Sequence, residues 1–549
     1  MQDADPGATF GPLDWTVLAA YAAALVAVGF VFTRRQKTTS DYFLAGRQMP
    51  VWAVAASILA TALSAATFIG APQNSYLGDL TYLSTNIGGL LSIFIVAYAV
   101  VPACYRRGAT TVYELLDDRF GPVTKRAAGL MFLFGRTLAS GARVYIGALP
   151  AAVILFGDDF TTAQLGGSIA IFTVISIVYT LAGGMRTVIW VDVMQSLVFV
   201  VAAAAAIAVL LAKIPLGPAE IVSALGAPTG GEESKLQLID LSTRPDRPYT
   251  LWTALIAFTL MGIASYGTDQ DMVQRMLTCR NAIAGGRSAI LGIVIGVPVV
   301  ALFLAVGLLL WVFYSRPDLM GAAAPDYPID DSRQVFLSFI IHEMPPGLSG
   351  LMIAGLFAAA LGSVNSLAAT SIEDFYKPAL PGRSERHYLR AGRLAVVGWG
   401  ILLGVVAGLC ILWHDSEKQT LIDFALGVMT FAWSGLAAVF LSALFTRRGS
   451  TASSLGAFVV GFLIVLACQP GVWAWWTDLL PFTRATPAIE GDFRLAEVKL
   501  AWPWHLVLGV AGAFAVCQLG TPANRARSAS EAYRARSASE GPATSGPTQ

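Results

Sequence analysis

Apolar runs long enough to cross a bilayer, which takes roughly 20 residues, recur along the whole chain and are joined by shorter polar connections. The pattern predicts thirteen spans, at 13–33, 51–71, 80–105, 126–157, 163–184, 187–213, 251–272, 288–314, 347–375, 389–413, 420–446, 453–470 and 503–520. One run differs from the rest. The centre of Val51–Ala71 reads Ala60-Thr61-Ala62-Leu63-Ser64-Ala65-Ala66-Thr67, small and hydroxyl-bearing where its neighbours are rich in Leu and Val. Small residues let other helices approach closely, and an unwound turn here would aim free carbonyls at a cation. The segment by itself leaves both readings open.

Charge along the connections orients the spans. Arg34, Arg35, Lys37 and Arg47 fall in the first connection, Arg106, Arg107, Lys125 and Arg126 in the third, and alternate connections stay basic to the C-terminus. Basic loops favour the cytoplasm, so the N-terminus is expected outside and the C-terminus inside the cell membrane. Residues 214–250, 315–346 and 471–502 then face outward, and DSRQVFLSFIIHEMP is expected to form a short surface helix. The tail repeats RARSASE and is read as disordered on its polar composition.

Composition narrows the class. Of 549 residues, 56% are hydrophobic and 13% charged, against about 25% charged in soluble domains. This is an all-α polytopic membrane protein. A formal net charge of +1 gives no footprint for nucleic acid. The five cysteines are widely spaced without a CxxC pair, so neither a metal site nor a disulfide framework is indicated. No HExxH, GxSxG or P-loop occurs, and the histidines are scattered. Enzyme chemistry has no foothold here, and no obligate protein partner is evident.

Ionisable residues inside spans are costly and therefore functional candidates. Arg136 and Arg143 lie seven residues apart in GRTLASGARVYIGALP, on one helix face. Each could grip a carboxylate in two places, or pair with a protein acid. Asp192 lies inside a span below the cytoplasmic surface. Asp269, Asp271, Glu373 and Asp374 fall at inner span ends, where a solvated role is expected.

Three stretches together resemble the sodium/solute symporter family: DYFLAGRQMPVWAVAASILATALSAATFIG (41–70), GGMRTVIWVDVMQ (183–195), and GTDQDMVQRML (267–277) with VNSLAATSIEDFYKP (364–378). The resemblance implies a leucine-transporter-like fold of two inverted five-helix repeats, at 51–213 and 251–413. Residues 1–33 precede them; three helices over 420–520 and the tail 521–549 follow. It also implies a sodium site on the Ala60 and Leu63 carbonyls, completed from a span that an ungapped register places at Gly355, Ala358 and Ala359. The family's two hydroxyls are absent from the last two positions. A second site implied at Asp192 has Leu361 and Gly362 where serines stand in sialic-acid carriers. Sodium coupling is thereby left in question, with proton coupling through Asp192 or uncoupled passage as alternatives. On the solute side the resemblance implies Ser64, Thr67, Tyr82, Asn86 and Arg143, with Arg136 the second arginine candidate. The expected activity is import of a small organic solute by alternating access. A carboxylate-bearing solute such as a sialic acid or monocarboxylate is favoured; a sugar carrier, a sodium-independent facilitator and a membrane sensor are the rivals.

Overall fold

A computed structural model describes residues 10–33, 39–157, 160–227, 234–325, 327, 329, 331–359, 364–413, 420–469, 472, 473, 475 and 500–521. The tail beyond 521, most of the 471–502 loop, and Leu361 and Gly362 lie outside them. Helices run from end to end: α1 Pro12–Thr33, α2 Val51–Ala62, α3 Ala65–Leu77, α4 Thr85–Ile95, α5 Pro122–Phe156 and α6 Thr162–Lys213. Then come α7 Leu251–Thr268, α8 Gln270–Met276, α9 Ala282–Ser315, α10 Leu348–Ala359 and α11 Val364–Thr370. The last are α12 Glu385–Trp413, α13 Leu421–Phe445, α14 Thr451–Ala467 and α15 Trp502–Gln518.

The expected count of thirteen spans is corrected. Among the described residues seven helices are long and apolar enough to cross a membrane, or eight if the bent pair α2–α3 is one span. The spans expected at 163–184, 347–375 and 453–470 contain shorter apolar helices, Thr162–Val178, Leu348–Phe357 and Thr451–Ala467. Hydropathy counts apolar residues but does not register where backbone hydrogen bonding stops.

Local chemistry explains the breaks that the described residues show. Gly184 has φ 57° and ψ −166°, a conformation open to glycine because it lacks a Cβ. It divides α6 where the sequence reads LAGGM. Between α2 and α3 the chain bends by 57°. The Ser64 amide donates to Ala62 O at 3.2 Å, two residues back, so the Ala60 carbonyl loses its helical donor. The last turn of α7, Ile263–Thr268, is π-helical, a form concentrated at functional sites. Asp269 then leaves the helix and caps α8, accepting from the Asp271 amide at 3.0 Å.

Close backbone crossings set the middle of the bundle. A Cβ at Gly88 on α4 would lie 2.3 Å from Ala254 O and 2.6 Å from Phe258 C on α7. Gly88→Ala is therefore expected to overpack this crossing, at about 1–3 kcal/mol. A lower melting temperature in detergent would register it, and an unchanged one would refute the crossing.

The stretch expected as a surface helix is instead an internal wedge. Val335–His342 is helical, but Phe336 and Phe339 are fully buried. Phe336 reaches Phe68 of α3, whose ring lies 5.4, 5.1 and 5.5 Å from Phe199, Phe303 and Phe336. VFLSFII is too apolar for the surface, and its loop places it over the bundle. Gln73 of α3 fastens the turn before it, donating to Ser332 at 3.0 Å and accepting from the Leu421 amide at 3.1 Å.

Candidate functional site

A cavity of about 160 Å³ opens beside the α2–α3 break. Its walls gather five of the residues expected from sequence: Leu63, Thr67, Tyr82, Asn86 and Arg143. Each arrives on a different element. Leu63 forms the break and Thr67 the first turn of α3. Tyr82 stands on a short turn before α4, Asn86 in the first turn of α4, and Arg143 in mid-α5. The opposite wall is apolar and aromatic, with Phe258, Met261, Tyr266, Met429 and Trp433. A mostly apolar hollow with a few convergent polar groups is the usual form of a small-molecule site.

Arg143 dominates the chemistry. No protein carboxylate pairs with it among the described residues, although Asp269 and Arg136 lie close enough to act on its charge. An unpaired guanidinium in a desolvated pocket calls for an anion, and its planar fork matches a carboxylate. Asn86 adds directional bonding. Its amide nitrogen donates to Leu83 O at 3.0 Å, which leaves a carbonyl oxygen and one N–H available.

The outer wall is braced. Tyr82 meets Tyr249 edge to face at 5.1 Å, and Phe258 meets Trp502 at 5.6 Å. Tyr249 and Trp502 both donate to Asp423 Oδ1, at 2.5 and 2.8 Å. One carboxylate at the head of α13 thus holds two aromatic walls in place.

The remaining sequence candidates sit elsewhere. Ser64 is buried as the first residue before α3 and is absent from the cavity wall. Arg136 is buried in an ion pair: its Nη1 donates to Asp269 Oδ2 at 3.1 Å and its Nη2 to Asp271 Oδ2. The two acids are correspondingly buried, contrary to the solvated role expected of them. The turn at Asp269 folds α8 beneath the cavity and into contact with α5. Asp374 is buried as well, held by Thr111 at 2.8 Å and Lys125 at 3.1 Å.

On the cation side, Ala60 is one turn before Leu63, and Ser57 is about one turn before Ala60 on α2. Ser57 donates to Asp192 Oδ2, which also accepts from Arg275 Nε at 3.3 Å. Asp192 is thus tied to the helix that ends in the break. Gly355 lies on α10 against Val198 of α6, where a Cβ would come within 2.4 Å of Val198 Cγ1. Ala358 and Ala359 form the last residues of α10.

Trp433, Met429, Met261 and Tyr266 were not chosen as solute residues from sequence. Trp433 carried the one usable signal, a mid-span indole whose N–H needs an acceptor. Asp269 lies beside it.

With this geometry in hand, the chain can be set beside known proteins. The profile of the sodium:solute symporter family matches residues 42–463. The sodium/sialic acid symporter NanT of Aliivibrio fischeri is 30% identical, over 83% of this chain and 88% of that protein. The human sodium/iodide cotransporter is 29% identical, over 85% of this chain and 68% of that protein. Among solved structures, the substrate-bound outward-open state of a Na+-coupled sialic acid symporter superimposes with a TM-score of 0.75. It shares 25% identity, covering 93% of this chain and 97% of that one.

These findings correct two expectations. The leucine-transporter-like description with its inverted repeats gives way to the architecture of that sialic acid symporter, which the fold matches. The question over sodium also closes, because the family and these relatives are sodium-coupled. Neither proton coupling nor uncoupled passage stands. Hard cations accept carbonyl and water oxygens as well as hydroxyls, so two alanines at 358 and 359 are a poor guide to loss of sodium.

Proposed function

The chain belongs to the sodium:solute symporter family, and from that premise we propose that it imports a carboxylate-bearing organic solute together with sodium. Family members are secondary active transporters, not enzymes. The observation that carries the choice of solute is Arg143, a guanidinium in the cavity wall that forms no ion pair with a protein carboxylate among the described residues.

In this mechanism Arg143 grips the carboxylate, while Thr67, Asn86 and Tyr82 bond to the polar body of the solute. Phe258, Met261 and Trp433 cover its apolar face and exclude water. Sodium uses carbonyls released at the helix break, Ala60 and Leu63, with Gly355, Ala358 and Ala359 of α10 closing the site. Asp192 lies on the sodium route toward the cytoplasm. The bilayer is that of the cell, with the N-terminus outside and the C-terminus inside, as the alternating basic connections support. A sialic acid fits both the guanidinium and the substrate named for the sialic acid symporters that the chain resembles; a monocarboxylate fits the guanidinium as well.

Uptake into proteoliposomes tests the assignment. Labelled sialic acid, pyruvate and glucose are presented with an inward sodium gradient, and again with choline replacing sodium. Accumulation of a carboxylate only under the sodium gradient is the expected result. Accumulation of glucose but of neither acid would overturn the choice of solute.

A further inference from the structure

A single buried path of charges joins the solute cavity to the cation side of the molecule. It starts at Trp433 in the cavity wall, whose indole lies beside Asp269. Arg136 bridges Asp269 to Asp271, and Asp271 Oδ1 accepts from Arg275 Nη1 at 2.7 Å. Arg275 Nε then reaches Asp192 Oδ2 at 3.3 Å and Ser57 Oγ at 3.0 Å. Every side chain in these ion pairs is at most 6% exposed. The path ends on α2, the helix whose last carbonyls face the break.

Its charges have a simple balance. Asp192, Asp269 and Asp271 are three acids; Arg136 and Arg275 are two bases. The excess negative charge is cancelled by Arg143 in the cavity wall, which lies within the field of Asp269, Arg136 and Arg275. The empty set is therefore neutral.

We propose that this path is the electrostatic coupler of the transporter. A carboxylate on Arg143 consumes the cancelling charge and leaves one negative charge uncompensated inside the bilayer, where isolated charge is costly. One monovalent cation at the Asp192 end restores neutrality, so anionic solute and sodium each favour the other's binding. Asp269, Arg136, Asp271 and Arg275 act as positioning residues, holding the charges in line without touching either cargo. The inference rests on the reading of Arg143 as the carboxylate site. Linkage then requires sodium to raise solute affinity by the same factor by which solute raises sodium affinity.

The test is equilibrium binding of labelled sialic acid to the purified full-length protein, in sodium and in choline. Wild type is expected to bind about tenfold more tightly in sodium, a common size for coupling between sites. Asp269→Asn adds one positive charge to the set at the end remote from the cation. Its sodium enhancement should fall to less than twofold, with Asp269→Glu retaining it. A folded Asp269→Asn variant with the wild-type enhancement would overturn the coupler while leaving the carboxylate reading intact. Wild type that binds neither sialic acid nor pyruvate would remove both.

A second measurement needs no substitution. The methyl ester of sialic acid, competing against the labelled acid on wild type, brings no charge. Its inhibition constant should differ by less than twofold between sodium and choline. Sodium enhancement of the ester equal to that of the acid would also overturn the coupler.

Discussion

Arg143→Ala is expected to abolish uptake of the carboxylate solute and to leave the protein folded. The loss follows from two charge-assisted hydrogen bonds made by one planar fork. Bonds to charged groups contribute about 1.5–3 kcal/mol each, and about 3 kcal/mol in total is roughly a hundredfold in affinity. Retention of the fold follows from what Arg143 does not do. It forms no ion pair with a protein acid among the described residues, so its removal breaks no buried salt bridge; the buried acids lose a distant compensating charge, which sodium in the melt buffer offsets. Arg143→Lys keeps the charge and loses the fork, and should fall between the two. The measurement is binding of labelled sialic acid beside a thermal melt in detergent. Wild-type affinity in a folded Arg143→Ala protein would remove the assignment.

Arg136→Ala, seven residues earlier on the same helix, is expected to fail in the opposite way. Arg136 bridges Asp269 and Asp271 with all three side chains buried. Removing one partner of a buried pair costs about 3–5 kcal/mol, because the remaining charge is left unmet. Folded yield and melting temperature should both drop sharply. Adding Asp269→Asn to Arg136→Ala removes the carboxylate left without its ion-pair partner, Asp271 keeping Arg275, and should recover part of the loss. A double variant no more stable than Arg136→Ala alone would contradict the bridge. The contrast between the arginines is informative because one chemical group, on one helix, is assigned to cargo in one case and to structure in the other.

That contrast also marks how far the sequence could be read. Spacing placed both arginines on one face of one helix, and their chemistry named carboxylates as partners. It could not distinguish them, because Asp269 and Asp271 are more than a hundred residues away. The turn that brings them under α5 depends on a π-helical ending to α7 that leaves no hydropathy signature. The same turn misled the reading of these acids as solvated helix ends. The break after Ala62 was legible for a local reason: small and hydroxyl-bearing residues interrupt an otherwise Leu- and Val-rich pattern. Span counting failed where apolar residues continue across a break in helical geometry, as at Gly184. The surface placement of VFLSFII failed for another reason: a loop segment proved as buried as a span. Trp433 was visible as a residue but not as a wall, since only the packing of α13 against the π-helical end of α7 gives it a cavity to face.

The wedge formed by Val335–His342 has a mechanical consequence. Phe336 packs on Phe68, and Gln73 ties Ser332 to the Leu421 amide, so α3, the second arm of the broken helix, is clasped to the loop before Val335 and to the head of α13. Thr67 sits on that arm. A rigid binder gripping the Ser332–Gln334 turn would thus hold a handle on the solute site without entering it. Such a reagent would arrest the transport cycle noncompetitively, and its grip would report whether the cavity is filled.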